Sequence, residues 1–269
     1  MIIYLSRMSL LLWRAGKFID HWWNAKTRHG THSPFMYELL DQVVYDDRHF
    51  YAFNTIEKRR NELLSDNTVI DILDLGAGSS INASNKRMVS DIAKNSLKTT
   101  ELGQLMFRLV NRFQPNNMVE LGTSLGISTL YQSLAYKHGC MHTLEGCKET
   151  ARIAQQTFDS VGSGNIKLHL GDFEETLPKL LQKIEKVDWA FVDGNHQYGP
   201  TMNYFHQLMY RSHEGTVLVF DDIYWSKGMA QAWEEIKAHG QVTCTLDLFH
   251  VGIVFLHKGQ KKENFRVKF

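Results

Sequence analysis

The chain is poor in the residues that staple small secreted folds. It has three cysteines in 269 residues, Cys140, Cys147 and Cys244, and no CxxC pair. That excludes a disulfide framework and a zinc knuckle, and it makes a reducing, cytoplasmic setting the expectation. Prolines number four, and there is neither an internal repeat nor a low-complexity segment. Charge of one sign is not in excess either. The formal net charge is +1, so charge implies no nucleic-acid or acidic-polymer partner. A long uninterrupted apolar run is missing as well. The N-terminal MIIYLSRMSLLLWRAGKFIDHWW is broken by Arg7, Arg14 and Lys17, far short of the roughly 20 residues a spanning helix needs. No small-residue cleavage site follows it, so a secretory signal is not expected.

What is present is an ordinary globular composition, 43% hydrophobic and 22% charged, enough for one large α/β domain with an extension. In the N-terminal stretch Met8, Leu11, Leu12, Ala15, Ile19, Trp22 and Trp23 share one helical face, while Arg14, Lys17 and His21 share the other. The expectation is a helix whose apolar face packs on its own domain or on a partner chain, a homodimer included. The alternative is a membrane-surface helix over residues 1–23. Further on, THSPF reads as a helix start, with Ser33 as cap and Pro34 in the first turn, running through Tyr37, Leu40 and Val44.

From about residue 98 the pattern becomes regular. Leu102, Leu105, Met106, Leu109 and Phe113 mark an amphipathic helix that Pro115 ends. Apolar runs then fall at 118–121, 141–145, 166–170, 187–192, 216–220, 242–248 and 250–256, with helical faces between the first six. This predicts a Rossmann-like, seven-stranded, mostly parallel α/β sheet with helices on both faces. The last two runs are only one or two residues apart, too close for a parallel crossover, so one strand near the end should be antiparallel. Residues 1–97 are read as a mainly helical cap and 98–269 as the sheet domain.

The chemistry-bearing residues fall at strand tips. MVELGTSLGISTL gives Glu120, Gly122 and Gly126 in the pattern E-x-G-x-x-x-G, a strand, a tight turn and a helix N-terminus suited to close approach of a ligand. This spacing differs from the dinucleotide fingerprint. The next strand ends at Glu145, placed to accept from a ribose diol, and the one after at Asp172 and Phe173. The fourth ends at Asp193 in WAFVDGNHQYGP, and the fifth at Asp221-Asp222.

With these tips, residues 98 to about 257 resemble the class I S-adenosylmethionine-dependent methyltransferases. Within them the chain looks like the small-molecule O-methyltransferases related to catechol O-methyltransferase. TTELGQLMFRLVNRFQPNNMVELGTSLGISTL and GDFEETLPKL carry the likeness. The resemblance implies that Glu120, Gly122, Thr123, Ser124, Gly126 and Ser128 surround the methionine end of S-adenosylmethionine. It implies that Glu145 and Gly146 hold the ribose, and that Asp172 and Phe173 flank adenine. It also implies a divalent cation such as Mg²⁺ on Asp193, Asp221 and Asp222, with Asp193 also near the cofactor and His196 as the base that takes an acceptor proton. The chain departs from the catechol enzyme at Gly194, Asn195 and His196. The plain structural alternatives are helix caps at Asp193 and Asp221-Asp222 and a surface histidine at 196. Trp225 and Trp233 are read as core or pocket wall.

Two other segments look functional. ILDLGAGSS at 72–80 resembles a second glycine loop, but no apolar helix or acidic tip follows, so it is read as a turn; the alternative puts Lys86 and Arg87 near the substrate. RHGTHSPF, with Arg28, His29 and His32, is read as a structural cap rather than an anion site. The expected function is methylation of a small hydroxylated molecule, with no nucleic-acid substrate, since the fourth tip lacks an N/D-P-P-Y/W motif. The alternatives are an amine or membrane-associated acceptor, and a catalytically silent fold serving as a binding module.

Overall fold

The computed structural model describes residues 2–30, 32–72, 86–258 and 261–269, with only the backbone of residues 2–7 and His29. The chain begins with α1 (Ile2–Asn24), α2 (Pro34–Leu39), α3 (Tyr51–Leu64), the hairpin β1 (Val69–Asp71) and β2 (Lys86–Met88), and α4 (Val89–Ser96). Then α5 (Thr100–Phe113) leads into β3 (Asn117–Leu121), α6 (Ile127–Ala135), β4 (Cys140–Glu145), α7 (Lys148–Val161) and β5 (Ile166–Leu170). The second half runs α8 (Phe173–Leu181), β6 (Val187–Val192), α9 (Tyr198–Tyr210), β7 (Ser212–Asp221), α10 (Lys227–Ala238), β8 (Cys244–Asp247), β9 (Val251–Phe255) and β10 (Glu263–Arg266).

The main sheet has the order β10-β8-β9-β7-β6-β3-β4-β5. All pairings are parallel except those of β9, which runs against both β7 and β8. All seven predicted strands form. The count of seven is corrected to eight, because β10 adds an edge strand beside β8. Its sequence ENFR is short and polar, as an edge facing water on one side tolerates, and it shows no apolar run to find. The antiparallel strand is thus the third from the chain's end in space, inserted between two parallel neighbours.

The local reasons are readable. Ser33 Oγ accepts from Met36 N–H and Pro34 opens α2, whose chain continues as one π turn through Leu40 and Val44. Thr99 caps α5, and Gln114 ends it in the left-handed region at φ 47°. β6 is buried along its whole length and β3 from Met118 to Leu121, since helices cover both sides. Residues of the first hundred join these cores directly. Met36, Leu40 and Val44 pack with Leu105, Leu109 and Phe255 on one face. Phe53 and Ile56 of α3 pack with Leu130, Tyr131 and Phe158 on another.

α1 does not pack its apolar face on its own domain, one of the two packings expected. Its apolar residues Leu11 (63% exposed), Leu12 (69%) and Trp23 (80%) point into solvent. Its polar residues face the protein. Arg14 lies 3.9 Å above the Trp225 ring, Lys17 stands near Trp13 and Tyr224, and His21 is buried. The cause is Asp247 at the end of β8, itself buried. It accepts from Tyr224 Oη at 2.6 Å and from Phe249 N–H at 2.9 Å, and stands 3.3 Å from His21 Nδ1. His21 Nε2 also lies 3.1 Å from the carbonyl of Val267, just past β10. A buried carboxylate needs such partners, and the helix supplies one from its polar side.

Burial alone would raise the Asp247 pKa, but His21, the Tyr224 hydroxyl and the Phe249 N–H hold it below the ordinary carboxylate value. The stability this contributes is present above the unfolded-state value of about 3.9 and is lost as pH falls through the lower folded value. Asp247→Ala is expected to cost about 3 kcal/mol and to release α1. Urea unfolding, with protease sensitivity of the first 24 residues, checks this.

Candidate active site

The chain crosses from β3 to β4 and β5 on one side and to β6 and β7 on the other, so β3 and β6 flank the topological switch point. A cavity of about 680 Å³ opens at the carboxyl ends of these strands. That size suits a cofactor with a small acceptor.

The glycine loop is built by backbone necessity. Gly122 has φ +101°, and a Cβ there would lie 2.1 Å from the Asp193 carbonyl oxygen. Only a glycine lets the tips of β3 and β6 meet this closely. Gly126 has φ +86°, and its Cβ would meet the Phe158 ring at 2.6 Å. Between them Ser124 sits at φ 49° and turns its N–H onto Glu145 Oε2 at 2.9 Å, while Cys147 N–H reaches Oε1 at 2.9 Å. Burial raises the Glu145 pKa, and these N–H groups oppose the rise. A carboxylate has about four lone-pair positions, so it keeps capacity for a diol.

Of the residues expected near a cofactor, Gly122, Ser124, Glu145, Gly146, Asp172, Phe173 and Asp193 line the cavity. Asp172 also caps α8, accepting from Glu174 N–H at 2.8 Å. Phe173 packs against Gly194, where any Cβ would collide with its ring at 2.5 Å. Glu120, Thr123, Gly126 and Ser128 do not reach the cavity wall. Glu120 is fully buried beneath the loop, accepting from Thr129 Oγ1 (2.5 Å), Thr143 Oγ1 (2.7 Å) and Gln132 Nε2 (2.7 Å). It ties β3, β4 and α6 together behind the site.

The other end of the cavity holds Asp193, His196, Asp222, Trp225 and a residue the sequence reading did not single out, Lys98. Lys98 Nζ donates to Asp193 Oδ1 at 2.8 Å and to Asp221 Oδ2 at 2.5 Å. Burial alone would lower the Lys98 pKa, but the two carboxylates hold it well above its ordinary value. Burial and the charge of Asp193 push the Asp221 pKa upward as well, against the charge of Lys98. His196 Nε2 stands 3.6 Å from Asp193 Oδ1 and 4.0 Å from Asp222 Oδ2.

Two of the three expected cation ligands, Asp193 and Asp221, come together here with His196. Ligand atoms of Asp193, His196 and Asp221 lie within 4.8 Å of one another, so His196 rather than Asp222 completes the cluster among the described residues. Asp222, in the left-handed region at φ 52°, stays on the cavity wall with its Oδ2 4.0 Å from His196 Nε2. The cluster also has an ammonium on two of its oxygens. A hard cation needs those oxygens at about 2.0–2.6 Å, which would put it against a like charge. With Lys98 in place the residues do not fit a divalent ion.

Lys98 was missed because it stands just before the Thr99 cap, outside any motif. The signal for it is two buried acids at adjacent strand tips with no assigned countercharge. Arg87, Asn95, Cys147 and Tyr204 also line the cavity without having been expected as ligands, although Arg87 had been raised as the alternative for its segment. Residues 73–80 of the ILDLGAGSS stretch lie outside the described residues.

With fold and site in view, the class is the Rossmann-like methyltransferase fold. Residues 119–223 match the family model described as a methyltransferase domain. The catechol O-methyltransferase of Niastella koreensis is 30% identical over 124 residues, 45% of this chain and 55% of that one. The chain thus spans about half the length of this curated relative. Among solved structures, the O-methyltransferase TomG of Streptomyces achromogenes superposes with TM-score 0.57 at 17% identity, over 78% of this chain and 91% of that one. The Podospora anserina methyltransferase PaMTH1 superposes with TM-score 0.58 at 13% identity, over 85% and 98%. These superpositions establish the fold.

Burial raises the Glu120 pKa from 4.5 to about 7, against the Thr129 and Thr143 hydrogen bonds that lower it. A raised folded value contributes stability below the unfolded value and loses it as pH rises through about 7. Glu120→Gln carries no such dependence. Relative to wild type it should gain roughly 3 kcal/mol on going from acid to alkaline pH. Urea midpoints of both proteins at about pH 5 and about pH 8 check this.

Proposed function

We propose that the chain is an S-adenosylmethionine-dependent methyltransferase acting on an oxygen of a small hydroxylated acceptor. The observation that carries the reading is the convergence of Glu145, Asp172 and Asp193, from three strand tips, on one cavity beside the glycine turn. When bound, S-adenosylmethionine supplies an electrophilic methyl on a sulfonium, so an O–CH₃ bond forms as the S–CH₃ bond breaks and its electron pair returns to sulfur.

The chain's own groups divide the remaining work. Glu145, fixed by the Ser124 and Cys147 N–H groups, accepts from the ribose hydroxyls. Phe173 gives adenine an apolar face, and Asp172 accepts from its amino group. Gly122 leaves room at the strand tip for the methionine end. His196, a half-buried imidazole on the cavity wall, takes the acceptor proton. The first 97 residues act as a cap, since Arg87, Asn95, Ser96 and Ile92 close one wall of the same cavity. A divalent cation has no part in this reading, because Lys98 stands where it would bind. Cys140, Cys147 and Cys244 form no disulfide with one another, which agrees with a reducing cytoplasmic setting.

Calorimetric titration with S-adenosylhomocysteine tests the proposal. One equivalent per chain is expected, and Glu145→Ala should weaken it by about 3 kcal/mol, roughly a hundredfold. Absence of binding by the wild type would favour the silent binding module instead.

One observation favours an acceptor presented at a lipid surface. No helix among the described residues is long and apolar enough to cross a membrane. Yet every exposed position of α1 from Met8 to Ile19 is uncharged, and the face ends in Trp22 and Trp23, with Lys268 Nζ 4.4 Å above the Trp22 ring. Apolar residues bordered by tryptophan and a basic group suit insertion among headgroups. Arg14, on the docked side of the same helix, covers Trp225 of the cavity wall, so such insertion would bring the mouth to the membrane. The full chain should float with phosphatidylglycerol vesicles, and the Trp22→Ser, Trp23→Ser double variant should not. Dimerisation in solution without vesicle binding would overturn this and assign the face to a second copy.

A further inference from the structure

Two carboxylates meet beneath the acceptor end of the cavity because β6 and β7 are parallel neighbours whose tips end in register. Val192 pairs with Phe220, and Asp193 and Asp221 follow them. Their side chains are 12% and 4% exposed, so water does little to separate their charges. Uncompensated, such a pair is costly, and a cation must stand between them.

The chain builds one in. Lys98 enters from the junction between α4 and α5, and its backbone is held from two sides. Its carbonyl accepts from Arg60 Nη2 of α3 at 2.5 Å, and the next residue, Thr99, is the cap of α5. Thr100 Oγ1 extends the same tether, donating to Glu57 Oε2 of α3 at 3.1 Å. The ammonium therefore arrives at Asp193 and Asp221 from a fixed point rather than from a loose surface loop. An ammonium has three donors. Two are spent on the carboxylates, and the residue lines the cavity beside His196, so the third is available to an acceptor oxygen.

We propose that Lys98 is the resident cation of the acceptor site and replaces a divalent metal there, holding the acceptor oxygen and the negative charge that gathers on it as its proton leaves. This rests on the methyl-transfer reading for the identity of the acceptor, but not for the exclusion of metal. An ammonium differs from a metal in what it selects. A metal chelates two adjacent oxygens, whereas one N–H directs a single oxygen. The acceptor class is accordingly a lone hydroxyl rather than a vicinal diol.

Manganese(II) binding to the full chain, read from the loss of the free-ion electron paramagnetic resonance signal, tests the proposal without needing turnover. Wild type is expected to take up no Mn²⁺ at millimolar ion. Lys98→Ala is expected to take up one equivalent, which Asp193→Asn in the same variant abolishes, while Lys98→Arg takes up none. Stoichiometric uptake by wild type, lost in Asp193→Asn, would overturn the proposal, and this arm stands even where a Lys98 variant fails to fold. A folded Lys98→Ala that takes up no Mn²⁺ would also overturn it, since the carboxylates would then not be a cation site at all. S-adenosylhomocysteine binding measured on the same samples keeps the two readings apart. Binding that is unchanged by Mg²⁺, together with no Mn²⁺ uptake, supports both, and loss of cofactor binding alone defeats only the methyl-transfer reading.

Discussion

The architecture turns on one ammonium between two buried carboxylates. Parallel neighbours β6 and β7 deliver Asp193 and Asp221 side by side because register, not choice, fixes where their tips end. The countercharge comes from Lys98, at the seam between the first hundred residues and the sheet. The same seam is stitched by Arg60, Glu57 and Tyr131, whose hydroxyl donates to Glu57 Oε1 at 2.5 Å. Removing the cap would therefore strip the sheet of more than a cover. It would leave an unpaired acid pair at the switch point, in surroundings where such a pair cannot both stay charged.

A second buried acid organises the far side. Asp247 gathers Tyr224, Phe249 and His21, and through His21 it decides which face of α1 is seen by solvent. The helix lies over the β8–β9 turn with Phe18 set edge-on to Phe249 at 5.1 Å, and Phe249 in turn stacks on Tyr224 at 5.3 Å. Packing here follows from satisfying one carboxylate, and Leu11, Leu12, Ile19 and Trp23 of the helix are left outside as a consequence.

How much was legible in the sequence follows from what kind of force placed each part. Strands β3 to β9 were legible because apolar runs between helical faces are dictated by burial on both sides of a parallel sheet. The antiparallel strand was legible from the brevity of the Leu248–His250 link alone. Positions of Gly122 and Glu145 at strand tips followed from the same pattern. Strand β10 was not legible, because ENFR pairs through backbone at an edge and needs no apolar side chains. Which face of α1 docks on its own domain was not legible, since a helical wheel records where apolar residues lie but not that a buried carboxylate elsewhere will claim the polar side. Lys98 was invisible for a related reason. Its partners are 95 and 123 residues away, and nothing local marks a lysine as a counterion. Glu120 was placed in the right motif, but its position beneath the loop depends on Thr129, Thr143 and Gln132 coming together in space.

The insertion of β9 between β7 and β8 reverses the chain so that the turn at Phe249, itself at φ 71°, returns to the end of the sheet that bears the acidic tips. The walls of the cavity thereby come from separate segments of one chain. The glycine turn and the tips of β4 and β5 form one wall, while α1, Tyr224-Trp225 and the β8–β9 turn stand behind the other. Substitutions that reshape the second group can drift without disturbing the backbone contact at Gly122. On the methyl-transfer reading, a chain built on this plan can change its acceptor while keeping its donor.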